Sequence, residues 1–298
     1  MQTSLHLLLA LVLAPLLLGI VNRVKARFAG RQGKPLLQTY FDLAKLARKG
    51  AVLSRTTSWV FAAGPTVSLA AILCALLLVP AGGTVAPVRF AGDFMVMAYL
   101  LGLSRLALIL AALDTGSSFE GMGASREACF SALAEPVLFL CFLCLISRSD
   151  GLSLSAFLQT PAAQLTPESL FVPAVLFVLL LTENARIPVD DPNTHLELTM
   201  IHEVMVLDHS GPDLGLIVYG AALKLWLFSA LVVGTLVPVH GLPPLVAWAV
   251  WLGAMGLTAL VVGIVESVMA RLRLVRVPRL LGGAGALAAL SLVLTLWR

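Results

Sequence analysis

Residues 179–209 gather the acids best placed to do chemistry. Glu183, Asp190, Asp191, Glu197, Glu203 and Asp208 lie there, six of the sixteen acids in the chain, with His195 and His202 among them. Carboxylates take up and release protons, pair with cations and ligate metals. In a membrane protein each one facing lipid costs several kcal/mol, so this acidic island must line water, meet cations or face another subunit. Zinc fits poorly, because His202-Glu203 is followed by Val204, Met205 and Val206 and forms no HExxH motif.

Four ionisable residues sit inside long apolar runs: Arg105, Glu135, Glu183 and Lys224. Two are cations and two are anions, as expected if they pair within a helical bundle. At 1.5 Å rise per residue, Glu135 lies roughly 10 Å, Arg105 roughly 12 Å and Lys224 roughly 15 Å from the nearer charged end of its segment. The geometry predicts a water-filled funnel from the island toward the bilayer centre, with proton or ion handling as its chemistry. Static interhelical ion pairs are the plainer alternative.

The elements that position these groups follow from composition. A hydrophobic fraction of 59%, a charged fraction of 12% and a mean hydropathy of +0.96 exclude an ordinary soluble domain. Apolar runs of bilayer-crossing length, roughly 17–25 residues, fall at about 3–21, 59–80, 94–113, 128–147, 169–187, 214–237, 243–265 and 280–297. The expected fold is one all-α polytopic membrane domain over 1–298, with eight spans, since backbone groups in lipid must be satisfied within each segment. The basic residues Arg23, Lys25 and Arg27 follow the first run and do not precede it, which reads as a retained span and not a cleaved leader.

Lysines and arginines orient the chain. Fifteen fall in the segments 22–58, 114–127, 183–213 and 266–279, and only Arg89, Arg148 and Arg298 in the opposite set. The positive-inside rule places those four loops in the cytoplasm and both termini outside. The isoelectric point near 9.1 is then a topology signal and implies no nucleic-acid partner. Cys74, Cys129, Cys141 and Cys144 all lie in predicted spans, so they read as small packing residues and not as ligands of a cluster.

The loops carry their own patterns. In the first, Leu36, Leu37, Tyr40, Leu43, Ala44 and Ala47 recur at helical spacing opposite Asp42, Lys45 and Lys49, predicting an amphipathic helix at the headgroup surface. A solvated basic face that only fixes topology is the alternative. The second, Asp114–Glu127, holds Gly116, Gly121 and Gly123 and reads as turn-rich, without a phosphate-binding motif. In the third, Pro188 and Pro192 break helix, and a new helix is expected over about 194–208, with His195, Thr199 and His202 on one face.

Three stretches resemble a known family. ENARIPVDDPNTHLEL (Glu183–Leu198) resembles the ExxRxPxDxPxxxxEL signature of subunit 1 of respiratory complex I, and Glu203 matches a further acid of that pattern. Asn22–Gly50 resembles the family's first cytoplasmic loop. Asp114–Pro136 looks more like the hydrogenase branch, which anchors membrane-bound [NiFe] hydrogenases of the formate hydrogenlyase and hydrogenase-4 type. The first loop departs from the MQxRxGPN form of the quinone-using members.

The resemblance implies a non-catalytic anchor in the plasma membrane. It would link hydrogenase large and small subunits and a ferredoxin-like iron–sulfur subunit to antiporter-like membrane subunits. The nickel–iron site and iron–sulfur clusters would reside in those partners, with no cofactor in this chain. By family likeness Glu183, Arg186, Asp190, Asp191, Glu197 and Glu203, with Glu135, would form the proton or charge coupling path, which Arg105 and Lys224 join from their place in the apolar runs. Arg23, Lys25, Arg27, Arg31, Asp42, Lys45, Arg126 and Arg186 would form the docking face for the soluble arm. A quinone-chamber subunit of a complex I-type enzyme is the first alternative. A stand-alone secondary transporter is the second, though no internal repeat supports it.

Overall fold

A computed structural model describes residues 2–149, 151–159, 167–190, 200–239 and 241–297. Among them the regular structure is helical, with no named strand. Seven helices are long and apolar enough to cross a bilayer: α1 (Gln2–Phe28), α3 (Trp59–Leu76), α4 (Asp93–Asp114), α5 (Ser118–Ile146), α9 (Gly211–Leu236), α10 (Pro244–Val268) and α11 (Val277–Leu296). A shorter apolar helix, α7 (Pro167–Glu183), stands where the fifth span is expected. The connecting helices are α2 (Gln38–Ala47), α6 (Leu154–Gln159) and α8 (His202–Met205).

The core forms around α9, whose most apolar window is 78% buried, against 22% for the window of α11. Helices α1, α3, α7 and α10 all pack on α9, and α2 lies across its charged end. Close approach is made by small residues, as in other membrane bundles. A Cβ on Gly64 of α3 would stand 2.7 Å from the Ala111 Cβ of α4, and one turn on, the Ser68 and Ser104 hydroxyls bond at 2.7 Å. In α1, Pro15 has no N–H for the Leu11 carbonyl one turn earlier. The Tyr219 hydroxyl of α9 donates to that carbonyl at 2.9 Å and restores its partner.

Sequence expectations fail at three local points. The fifth helix ends at Glu183 and does not continue to 187. Ala185 is left-handed (φ 48°), the Ala185 amide bonds the Thr182 carbonyl and the Arg186 amide bonds the Leu181 carbonyl at 2.8 Å. That pair of bonds is a Schellman stop, made here without the usual glycine. The glycine-rich second loop is mostly helix. Only Gly116 (φ 72°) makes a turn, and α5 starts at Ser118.

The third departure concerns the helix expected over 194–208. Residues 191–199 lie outside the described residues, Met200 and Ile201 are not helical, and α8 is a single turn followed by a bend. The cause is Asp190, whose carboxylate accepts from the Ile201 amide at 3.0 Å and the His202 amide at 3.1 Å. It fixes the chain direction just before the turn and serves donors that a longer helix would have used internally.

The charged loops interlock at one end of the bundle. Asp114 accepts from the Ser58 amide and hydroxyl at the start of α3. The Val52 amide donates to the Ser210 hydroxyl at 2.9 Å. The Leu272 amide bonds the Pro188 carbonyl at 2.9 Å, and the Arg126 guanidinium donates to the Met200 carbonyl at 2.8 Å.

Candidate functional site

Arg105, on α4, faces α5 and α7 about nine residues before its helix ends. Its guanidinium donates to Glu183 at 2.6 Å and to Glu135 at 2.6 Å, one nitrogen to each. Lys224, from the centre of α9, reaches the other oxygen of Glu183 at 2.9 Å. The four ionisable residues of the apolar runs thus meet in one chain of contacts, Glu135–Arg105–Glu183–Lys224. Their burial differs: the Glu183 side chain is 6% exposed, whereas that of Glu135 is 43% exposed. Glu183 is the sealed centre and Glu135 the open flank. Gly102 lies beside that flank, where a Cβ would make ordinary contact with the Glu135 carboxylate at 3.4 Å.

A cavity of about 50 Å³ adjoins the network, lined by Ser68, Ser104, Arg105, Glu127, Glu183, Asn184, His202, Met205 and Lys224 among others. That is space for roughly three waters with polar partners on several sides. A smaller cavity of about 10 Å³ lies against Arg105, Glu127, Ser131, Thr182 and Glu183. Glu127 lines both and lies within electrostatic reach of Lys224, Glu183 and Arg105. It adds a third carboxylate to two cations, so the cluster carries one formal negative charge in excess. In a low-dielectric interior, a proton is the mobile species that can neutralise such an excess.

A second group balances the first. Glu266, at the charged end of α10, pairs with Lys25 at 2.8 Å and with Arg186 at 3.3 Å. Here two cations face one buried carboxylate, the reverse excess. Asp190 pairs with Arg271 at 2.8 Å while holding the two amides that set α8. Glu120 accepts from the Asp208 amide at 3.1 Å. The Asp190 and Glu120 contacts tie the α8 segment to α5 and the loop before α11.

The histidines of this segment are held neutral. His202 lines the larger cavity, and burial, followed by the charges of Lys224 and Arg186, lowers its pKa to about 4. His209 stacks on Phe61 with ring centroids 4.0 Å apart. Burial lowers its pKa, against the opposing pull of Asp213 and Asp208.

The remaining residues singled out in the sequence are distributed as follows. Glu203 lies in α8, whereas Asp191 and Glu197 fall outside the described residues. Of the basic group, Arg23, Arg27, Arg31 and Lys45 are exposed, and Arg23 bonds the Gln32 carbonyl. Asp42 accepts from Gln38 one turn earlier in α2. Lys25, Arg126 and Arg186 turn inward to partners within this chain. Sequence reasoning missed Glu127, Glu266, Glu120 and Arg271. Glu127 had a readable signal: it precedes Glu135 by eight residues, and both fall on one helix face.

Comparison with known proteins gives the family. The NADH dehydrogenase family model matches residues 2–297. The chain belongs to this family. It is 31% identical over 300 aligned positions to formate hydrogenlyase subunit 4 of Escherichia coli (strain K12), covering 96% of each protein. It is 32% identical over 231 positions to hydrogenase-4 component C of the same organism, covering 76% of this chain and 72% of that one. A chain of the membrane-bound sulfane sulfur reductase, an archaeal respiratory membrane complex, matches with a TM-score of 0.85 over 99% of this chain and 100% of that chain. At 19% identity this last likeness shows the fold alone. The family is thus the one that the island and the first loop resemble.

Proposed function

We propose that this chain is the membrane anchor and proton-coupling subunit of a membrane-bound hydrogenase or hydrogenlyase complex. The observation that carries the assignment is the 31% identity to formate hydrogenlyase subunit 4 over 96% of both proteins. The Glu135–Arg105–Glu183–Lys224 network supports the coupling part. In this reading α7 is an eighth span, both termini face outward, and the interlocked loops lie on the cytoplasmic side of the plasma membrane, following the lysine and arginine asymmetry.

The exposed Arg23, Arg27, Arg31 and Lys45 then offer the docking surface for hydrogenase large and small subunits and a ferredoxin-like subunit. Charges at such a rim set register and partner choice more than affinity. The nickel–iron and iron–sulfur chemistry resides in those partners. Antiporter-like subunits pack against the bundle and receive the signal.

The coupling step follows from the contacts. The α8 segment touches the cytoplasmic loops through Asp190, Arg126 and Glu120, and reaches the cavity through His202 and Met205. A redox event in the docked arm shifts the segment or its charge. That alters the field on three carboxylates and two cations, whose proton occupancy responds through the enclosed water. Proton uptake at Glu127 neutralises the excess charge, and release toward Glu135 restores it.

Substitution of Glu183→Gln and Glu203→Gln in the full complex tests the reading. The expected result is a complex that assembles and keeps hydrogenase activity with an artificial donor, while proton translocation falls. Normal translocation in both variants would return these acids to a packing role.

A further inference from the structure

A polar cluster that the coupling reading does not use runs from the middle of α9 toward the N-terminal end of α1. His6, on α1, is 1% exposed, and neither ring nitrogen has a hydrogen-bond partner among the described residues. The indole nitrogens of Trp226 on α9 and Trp248 on α10 are buried and unpartnered in the same way, as is the hydroxyl of Ser229. These groups are neighbours. The His6 ring stands edge-on to Trp251 with centroids 5.9 Å apart, and Trp251 meets both Trp226 and Trp248 at 5.7 Å. Ser229 follows Trp226 by three residues and so shares its side of α9.

A buried donor or acceptor left bare costs roughly 1–3 kcal/mol, and native interiors leave few of them. Five at one helix junction require an occupant that both donates and accepts. The indoles donate, the imidazole does one of each, and the hydroxyl does both. Water answers that set, and no single charged ligand does. A second observation shows room beside the cluster, at Trp251. Trp251 lines a cavity of about 20 Å³ with Gly82, Gly83, Thr84, Gly234 and Val239, room for roughly one water. The cavity lies under the Pro80–Thr84 loop between α3 and α4.

We infer that the α1–α9–α10 junction is an internal water-binding site, its waters held by His6, Ser229, Trp226 and Trp248 and reaching the surface beneath residues 80–84. Ser229 lies five residues, roughly 7.5 Å along α9, beyond Lys224. Trp226 lies only two residues beyond Lys224, so the site begins at the level of the charged network and extends past it. It stands whether or not Glu183 couples.

Hydroxyl-radical labelling by X-ray pulses on the full chain in detergent, read by mass spectrometry, tests the site. The radicals form from water in place, so a buried indole is labelled only where water adjoins it. Trp226 and Trp251, 1% and 2% exposed, should label several-fold faster than Phe142, which is 0% exposed, after correction for intrinsic reactivity. His6→Phe with Ser229→Val should lower labelling of both indoles, leaving the 78% exposed Trp59 unchanged. Silence of Trp226 and Trp251 at the Phe142 level in the unmodified protein would overturn the site, even if the variant failed to fold. So would unchanged labelling in a folded variant.

Discussion

Replacing Glu183 by glutamine removes the charge that two cations share while keeping the side chain's shape. Arg105 and Lys224 touch opposite oxygens of Glu183 at 2.6 and 2.9 Å, and the carboxylate is 6% exposed. Removing one partner of a buried pair costs about 3–5 kcal/mol, because the charge left behind stays buried and uncompensated. Arg105 keeps its Glu135 pair, so Lys224 is the cation left stranded, and we expect about 4 kcal/mol. At roughly 2 °C per kcal/mol for a chain of this size, melting of the detergent-purified protein should fall by about 8 °C. Scan rates must be matched. Adding Lys224→Met removes that stranded charge, so the double variant should regain about 2 kcal/mol, or about 4 °C. Glu135→Gln should cost only about 1 kcal/mol, since that half-exposed side chain loses a single partner. Melting of Glu183→Gln within about 1 °C of the parent, or a double variant that falls by the sum of the two single losses, would refute the reasoning.

Acid should loosen the α8 segment. With the His202 pKa lowered to about 4 from 6.5, the packed state keeps its full contribution above pH 6.5 and loses it as pH falls toward 4. At pH 5 the loss is about 2 kcal/mol, so hydrogen-exchange protection of residues 200–209, corrected for intrinsic rates, should drop roughly 30-fold and drop far less in His202→Gln. Gly123→Ala places a Cβ 2.3 Å from a Val204 methyl and 2.9 Å from the Ile201 carbonyl and should cost about 1–3 kcal/mol; Val204→Ala in the same chain should recover part of the lost melting temperature, the carbonyl contact remaining. Asp190→Ala removes the Arg271 ion pair and leaves the Ile201 and His202 amides without this acceptor, and should make the 200–210 segment the first site of limited proteolysis while the spanning helices stay intact.

Much of this site was legible because the bilayer punishes unpaired charge. Arg105, Glu135, Glu183 and Lys224 stood out as ionisable residues in apolar runs, and the fold brings all four together. Glu127 was hidden by its neighbours. Gly121 and Gly123 weaken helix propensity, so the stretch read as a loop and the eight-residue spacing to Glu135 went unused. In the fold, Gly123 is a point of close packing against Ile201, Val204 and Met205, a contact between segments some eighty residues apart that local pattern cannot reveal. Glu266 fell one residue beyond a predicted span and looked like loop polarity. Only the tertiary path of Lys25 and Arg186 identifies it as a buried hub. The end of α7 was misplaced for another reason. Alanine is a strong helix former, and nothing local marks Ala185 as the left-handed residue of a helix stop.

The central burial of α9 has a consequence for how the chain can change length. Each residue added to an α-helix turns everything beyond it by about 100°. One insertion between Gly211 and Leu223 would swing Lys224 off Glu183, and the tryptophan and serine beyond it off their own neighbours, all in a single step. No compensating change on one adjacent helix could follow, because α1, α3, α7 and α10 all read the same shaft. Helix α11, with only 22% of its most apolar window buried, is read chiefly by α5 and α7, so its constraint is looser. Insertions, deletions and engineered tags should therefore be tolerated at the periphery and refused on α9, which acts as the camshaft whose phase every other helix must obey.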